Sequence, residues 1–306
     1  MRHLTSLATV SSADVREILR LSTELKTRWS KGDRPDLLRG HVLTQIFEKP
    51  SLRTRLSFEA AMQHLGGSSI FLGRKEAGLE GRESQSDVAR VIGGYSDVIV
   101  LRTFSQQLID DFARFSGTPV INGLSDDSHP CQALTDAFTI GEALGRIEGV
   151  KLAYIGDGNN VAVSLAEVCG HLGMSFSVGA PAGYQLKPTF VDGLKKAFPK
   201  LRIEQYIDPL AAVRGADVVY TDVWASMGQE NEKESRNKVF ADYQVNARVM
   251  KAAGPKAKFM HCLPARRGLE VTDEVIDSPA SLAFPQAENR MHLAKGVFAW
   301  CLNARV

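Results

Sequence analysis

The feature that most constrains this chain is a change of hydrophobic period that repeats along nearly its whole length. Short apolar runs of strand length lie near 41–48, 68–72, 97–101 and 119–121, and again near 151–155, 174–178, 202–206, 217–221 and 258–262. In the first half, amphipathic helical patterns separate them, near 12–29, 53–65, 83–94 and 105–116. A near-continuous apolar strand flanked by helices is a strand buried on both faces of a parallel sheet, because parallel pairing needs a long crossover connection. The pattern therefore predicts an α/β fold with two doubly wound parallel-sheet domains, which suits a length of 306 residues.

Pro130 stands where a helix can start, helical character runs to about Leu144, and Gly145 and Gly149 punctuate its end. This predicts a connecting helix over 131–148, between a first domain of 1–130 and a second of 149–285. From Gln286 onward the chain reads as a final helix, with Ala294, Val297, Phe298, Cys301 and Leu302 on one face. One long stretch, 226–238, is polar, charged and nearly free of apolar anchors, and reads as an irregular loop that closes over a site.

Composition excludes several classes of function. A formal net charge of +2 gives no electrostatic case for nucleic acid. No apolar run is long enough to span a membrane, and the start of the chain lacks the apolar stretch of a signal peptide. The four cysteines, Cys131, Cys169, Cys262 and Cys301, form no C-x-x-C pair, so neither a structural zinc site nor a disulfide framework is expected. Reduced thiols in a cytoplasmic protein are the expectation for all but Cys262.

Ligands of open α/β sheets bind beyond the carboxyl ends of the strands, so the residues there carry the functional reading. The stretch "SLRTRLSFE", 51–59, passes from strand to helix. A helix N-terminus offers unpaired N–H groups to an anion, Ser51 and Thr54 add hydroxyls, and Arg53 adds a planar cation. Because successive helical residues turn by about 100°, Arg53 and Arg55 point apart, and Arg53 is the expected ligand. Arg102 follows the strand "DVIVL". In "DDSHPCQALTD", Pro130 disfavours a helical conformation at His129 and so sets that ring at the helix mouth, three residues before Gln132. An imidazole and a carboxamide can both donate to a carbonyl oxygen that gains negative charge.

"YIGDGNN" has half of a dinucleotide fingerprint, but Val161 replaces its third glycine. The next strand also ends without the acid that would hold a ribose, so a nicotinamide site is not expected. The turn instead presents Asn159 and Asn160 to a polar small molecule. Asp222 in "TDVWASMG" is placed to meet a cationic substrate group. Cys262 in "MHCLP" lies beside His261, but adjacent strand residues point to opposite faces, so His261 is a poor base for a cysteine nucleophile.

Together these stretches resemble the transcarbamoylase family shared by the aspartate and ornithine enzymes, over the whole chain and in the same order. "FEKPSLRTRLSFE" resembles its phosphate loop and "HPCQ" its His-Pro-x-Gln element, while "DVWASMG" and "HCLP" resemble the ornithine branch. The resemblance implies that Ser51, Leu52, Arg53 and Thr54 bind the phosphate of carbamoyl phosphate. It implies that Arg102, His129 and Gln132 hold the carbamoyl group, and that Cys262, the Leu263 backbone and Arg290 complete that site. Asn160, Asp222, Ser226 and Met227 are expected to bind ornithine.

It further implies a carbamoyl-phosphate domain at 1–130 onto which helix 286–306 returns, an ornithine domain at 149–285, and a homotrimer with active sites between subunits. Transfer is expected by direct amine attack on the carbamoyl carbon, with Arg102, His129, Gln132, Asp222 and Cys262 as the catalytic set and with no metal or redox cofactor. Two positions depart from the family pattern: Leu52 stands where threonine is usual, and Gly78 where a glutamine often reaches a neighbouring subunit. The competing readings are a transcarbamoylase for acetylornithine or putrescine, and a catalytically silent member of the family.

Overall fold

A computed structural model describes residues 1–81, 83–225 and 230–306 of the chain. They form two compact units, one of Met1–Phe138 with Glu288–Val306 and one of Thr139–Ala287. Two helices therefore carry the division between units, in place of a flexible linker.

In chain order the first unit holds α1 (Ser12–Ser30), β1 (Val42–Phe47), α2 (Leu52–His64), β2 (Ser68–Gly73), α3 (Gln85–Tyr95), β3 (Val98–Arg102), α4 (Gln106–Phe115) and β4 (Val120–Leu124). Helix α5 (Pro130–Leu144) then crosses into the second unit. The helices start on short polar caps: Ser11 and Asp14 exchange side-chain and backbone bonds at α1, and Ser105 accepts from Leu108 N–H at α4. The sheet order is β2-β1-β3-β4, all parallel. Ile46, Ile99, Leu101, Ile109, Phe112 and Val120 are buried between this sheet and its helices.

Because the chain winds from β1 out to β2 and then returns to β3, the switch point lies between β1 and β3. Both of their carboxyl ends carry residues of the expected site. The β3–β4 register shifts there, with Leu101 opposite Asn122 but Arg102 opposite Leu124. Such a bulge re-aims a side chain at the end of a strand, here the buried Arg102. Gly123 is the residue passed over. A Cβ on it would meet Leu101 O at 3.1 Å and the Thr54 methyl at 3.4 Å, so glycine lets the start of α2 come close to the strand.

The second unit continues with β5 (Lys151–Ile155), α6 (Asn160–Leu172), β6 (Ser175–Gly179), α7 (Pro188–Ala197), β7 (Ile203–Tyr206), α8 (Pro209–Val213) and β8 (Val218–Thr221). It ends with α9 (Lys233–Val239), α10 (Ala247–Ala253), β9 (Lys258–His261), α11 (Asp273–Ile276) and the first residues of α12 (Ala283–Cys301). Its parallel sheet has the order β7-β6-β5-β8-β9, which puts the switch point between β5 and β8. Ile155, Val213, Val219, Phe240, Val245 and Phe259 lie at 0% exposure in its core.

Two segments differ from the sequence expectation. Helix α12 begins at Ala283, three residues before Gln286, because Pro285 falls in the first turn, where its missing N–H costs nothing. The polar segment 226–238 is not wholly irregular, since its described part includes α9. Its anchor is ionic rather than apolar: Arg236, 8% exposed, binds Glu232 one turn back at 2.8 Å and Asp157 at 2.6 Å. A search for hydrophobic periodicity does not register such an anchor.

Candidate active site

In the first unit, Ser51 is the extended N-cap of α2, its hydroxyl accepting from Thr54 N–H at 3.3 Å. Leu52 follows with its side chain 70% exposed, so its backbone, not its side chain, faces the helix mouth. Arg53 is half-buried. Arg55 turns away, pairing with Glu59 at 2.9 Å and lying 3.8 Å over the Phe71 ring.

Thr54 is buried, and two guanidinium groups converge on its hydroxyl: Arg102 donates at 3.3 Å and Arg290 at 3.0 Å. Arg290, returning on α12, also donates to Gln132 Oε1 and lies 3.4 Å from His129 Nε2. Arginine only donates, so that last contact requires an unprotonated Nε2 and puts the imidazole proton on Nδ1. Burial, reinforced by Arg290 and Arg102, holds the His129 pKa well below the ordinary histidine value, so the ring is neutral at pH 7. Gln132 is oriented from behind by Asp136, which accepts its amide N–H at 2.8 Å. Asp136 lies one turn later on the same face of α5, a spacing visible in "QALTD".

In the second unit, Asp222 follows β8 and draws three segments together. Its Oδ1 accepts from the Cys262 thiol at 3.1 Å and from Val223 N–H at 2.8 Å, and its Oδ2 accepts from Asn159 at 3.3 Å. Asn159 in turn caps α6, accepting from Val161 and Ala162 N–H. The tight turn before it needs Gly158, where a Cβ would lie 2.7 Å from Leu186 N. Asn160 is the first residue of α6.

Asp157, in the same turn, is pushed up by burial and pulled the other way by its ion pair with Arg236. Arg236 also donates to Trp224 O at 3.1 Å. The ion pair therefore ties α9 to the β5 turn and to the strand end that carries Asp222.

His261 does not serve Cys262. Its Nδ1 accepts from Leu263 N–H at 2.9 Å, and its Nε2 lies 3.3 Å from Glu270 Oε1. These partners fix the tautomer and make His261 the internal brace of the turn after β9. Leu263 sits at φ +58 in that turn, a conformation that ordinarily favours glycine. Its N–H is committed to His261, so its carbonyl is the group it can present. Asp222, His261 and Cys262 bring ligand-type atoms within 4.8 Å of one another. With both His261 nitrogens engaged, this group leaves, among the described residues, a carboxylate and a thiol, short of the three or four donors a structural or catalytic zinc takes.

The first unit thus gathers Ser51, Thr54, Arg102, His129, Gln132 and Arg290, with Leu52 and Arg53 at the same helix start. The second gathers Asn160, Asp222, Cys262 and Leu263. Ser226 and Met227 lie outside the described residues. Asp136, the Asp157–Arg236 pair and Glu270 are additions that the sequence reading lacks. The other three cysteines are buried, free thiols; burial pushes Cys131 up to about 12 and raises Cys169 and Cys301 as well.

Comparison with known proteins agrees with this arrangement. Residues 2–142 match the carbamoyl-P binding domain of aspartate/ornithine carbamoyltransferases, and residues 148–301 match the Asp/Orn binding domain of the same family. An ornithine carbamoyltransferase of Symbiobacterium thermophilum is 47% identical over 97% of this chain and 96% of its own length. An anabolic ornithine carbamoyltransferase of Pyrococcus furiosus is likewise 47% identical, over 97% of this chain and 95% of its own. The solved structure of ornithine carbamoyltransferase from Pyrococcus furiosus superposes with a TM-score of 0.96 at 45% identity, covering 100% of this chain and 98% of that one. The chain belongs to the aspartate/ornithine carbamoyltransferase family.

Proposed function

We propose that this chain transfers the carbamoyl group of carbamoyl phosphate to the side-chain amine of L-ornithine, giving L-citrulline and phosphate. The observation that carries the reading is the convergence of Arg102 and Arg290 on Thr54 Oγ1 at the N-terminus of α2. A helix N-terminus with two buried guanidinium groups suits a phosphate that gains charge as it leaves. The first unit is assigned to carbamoyl phosphate, through Ser51 to Thr54, Arg102, His129, Gln132 and Arg290. The second is assigned to ornithine, through Asn160, Asp222, Ser226 and Met227.

The chemistry follows from these groups. Arg102, His129 through Nδ1–H, and the Gln132 amide stabilise the oxyanion of the tetrahedral centre, where one well-placed donor contributes about 3–4 kcal/mol. Holding the two substrates together contributes at most about 7–11 kcal/mol more. Asp222 orients the ornithine amine, whose free pKa resembles that of lysine, about 10.4. The Cys262 thiol donates to Asp222, so it orients that carboxylate, which can receive the proton of the amine, and it does not act as a nucleophile.

The two departures from the family pattern do not favour a silent protein. The Leu52 side chain faces solvent, and Gly78 occupies a left-handed position, φ +73, that suits glycine. A homotrimer in the cytoplasm is part of the same proposal; no helix among the described residues is long and apolar enough to cross a membrane. The test is product analysis: citrulline and phosphate form in equal amounts from carbamoyl phosphate and ornithine. A carbamoyl group trapped on Cys262 in the absence of ornithine would overturn the direct route.

A further inference from the structure

The loops that leave β1, β3 and β4 are fastened to one another by residues that the site described above does not use. Lys49, the second residue after β1, is only 5% exposed. Its Nζ pairs with Asp126, the second residue after β4, and lies 4.1 Å over the ring of Phe104, the second residue after β3. In the sheet order β2-β1-β3-β4, β1 and β4 are two strand spacings apart, a separation of roughly 10 Å. The Lys49 side chain therefore bridges from one side of β3 to the other. The backbone follows the same path: Glu48 N–H donates to Arg102 O at 2.8 Å, and Asp126 N–H donates to Phe104 O at 3.0 Å. Glu48 Oε2 also accepts from Phe104 N–H at 3.0 Å.

Each anchor lies close in sequence to a residue of the site. Lys49 stands two residues before Ser51, Phe104 two after Arg102, and Asp126 three before His129. In carbamoyl phosphate a single oxygen joins phosphorus to the carbamoyl carbon, so the groups that hold its two ends must keep a fixed separation. An exposed ion pair would do little to enforce one, because mobile side chains and water weaken it. Lys49 is placed differently: a lysine is almost never buried unless paired, and here its stem is packed away while a ring and a carboxylate hold its cation.

We propose that Lys49 is a positioning residue for carbamoyl phosphate. Through Phe104 and Asp126 it sets the distance between the start of α2, which takes the phosphate, and the His129 turn, which takes the carbamoyl group. The inference rests on the function proposed above for the first unit. A tie and a bare charge predict opposite signs for the loss of Asp126. A cation acting on the phosphate from a distance would act more strongly once the neighbouring carboxylate lost its charge. A tie is cut from either end, so removing the carboxylate harms the site as removing the amine does.

The test compares wild type with Asp126→Asn, Asp126→Glu, Lys49→Met and the double variant Lys49→Met/Asp126→Asn. It reads kcat and KM for each substrate, and the binding of inorganic phosphate by titration calorimetry. Asp126→Asn is expected to lower kcat/KM for carbamoyl phosphate by roughly 10- to 10²-fold, the scale that a misplacement of about 1 Å costs. KM for ornithine at saturating carbamoyl phosphate should stay unchanged, and phosphate should bind no more tightly than to wild type. Asp126→Glu, which keeps the carboxylate, should recover most of the loss, and the double variant should be no worse than the worse single one. The Asp126 side chain is 59% exposed, so its variants keep the test decisive should Lys49→Met fail to fold. Tighter phosphate binding by Asp126→Asn, additive losses in the double variant, or a lowered Tm with wild-type kinetics each overturns the proposal. A wild type that neither binds phosphate nor turns over carbamoyl phosphate overturns the proposed function and this inference with it. A wild type that does both, matched by Asp126→Asn, overturns this inference alone.

Discussion

Arg290→Met removes one of the two guanidinium groups that converge on Thr54, at the helix start proposed to hold phosphate. Arg290 donates to Thr54 at 3.0 Å and to Gln132, and it comes back to the first unit from α12, far in sequence from both. A hydrogen bond to a charged group contributes about 1.5–3 kcal/mol, so two redirected to the substrate contribute about 3–6 kcal/mol. At 1.36 kcal/mol per decade, kcat/KM for carbamoyl phosphate should fall by roughly 10²- to 10⁴-fold. The folded protein should lose much less. Thr54 keeps its bond from Arg102, while Gln132 Oε1 and His129 Nε2 each lose a donor, a cost of about 1–3 kcal/mol each that no longer burying a cation offsets.

The pH profile supplies an independent sign. Arg290 is, after burial, the largest influence that lowers the His129 pKa. Its loss lets that pKa rise, so more imidazole is protonated at a given acidic pH. The acidic limb of the rate profile should therefore move to higher pH. Steady-state kinetics at varied carbamoyl phosphate, repeated between about pH 5 and 8 where histidine titrates, reads both effects. A fall in kcat/KM below about tenfold, or an unshifted acidic limb, would refute the reasoning.

Four further outcomes are expected. Cys262→Ala should raise KM for ornithine by roughly tenfold, the loss of one hydrogen bond to a carboxylate, while Cys262→Ser stays close to wild type; unchanged ornithine kinetics in Cys262→Ala would remove its role. Leu52→Thr should change KM for carbamoyl phosphate by less than about threefold, because the side chain points to solvent, and a tenfold gain in affinity would contradict this. Burial lifts Glu167 from 4.5 to about 7. The folded state thus holds the proton more tightly than the unfolded one, and the stability this gives is full below pH 4.5 and lost as pH rises through about 7. Glu167→Gln should flatten that decline and add up to about 3 kcal/mol at pH 8 in denaturant unfolding; an unchanged pH dependence would count against it. Arg236→Met leaves Asp157 buried without its cation, a loss of about 3–5 kcal/mol, so proteolysis within 230–239 should accelerate while cleavage of the first unit stays the same.

The fold was legible because its signals are local and repeated. Each run of strand length reappears as a parallel strand within a residue or two, except that β4 runs three residues past 121; the central strands, buried on both faces, need apolar residues at nearly every position. Arg102, Asp222 and Cys262 are singled out by position alone, Arg102 as the last residue of β3 and the other two just beyond their strands. Arg290 came only through family resemblance, because nothing in "AENRMH" says which strand end a distant helix will meet. Asp136 was within reach of a one-turn spacing rule applied to Gln132. The Arg236–Asp157 pair was not: its members are 79 positions apart, and the segment's polarity pointed to a loop. His261 was rightly set aside as a base for Cys262, but its positive role depends on Glu270 and on the backbone of Leu263, which no spacing announces.

The most direct test of the account is kcat/KM measured side by side for ornithine, acetylornithine, putrescine and aspartate at saturating carbamoyl phosphate. Asp222, set among Cys262 and Asn159 at the end of β8, is expected to select the free amino acid with a side-chain amine. A site built to hydrogen-bond a polar group rejects analogues lacking it by up to about 10⁴-fold, so ornithine should lead the others by at least about 10²-fold. No turnover with ornithine, or a higher kcat/KM for any of the other three, would contradict the account.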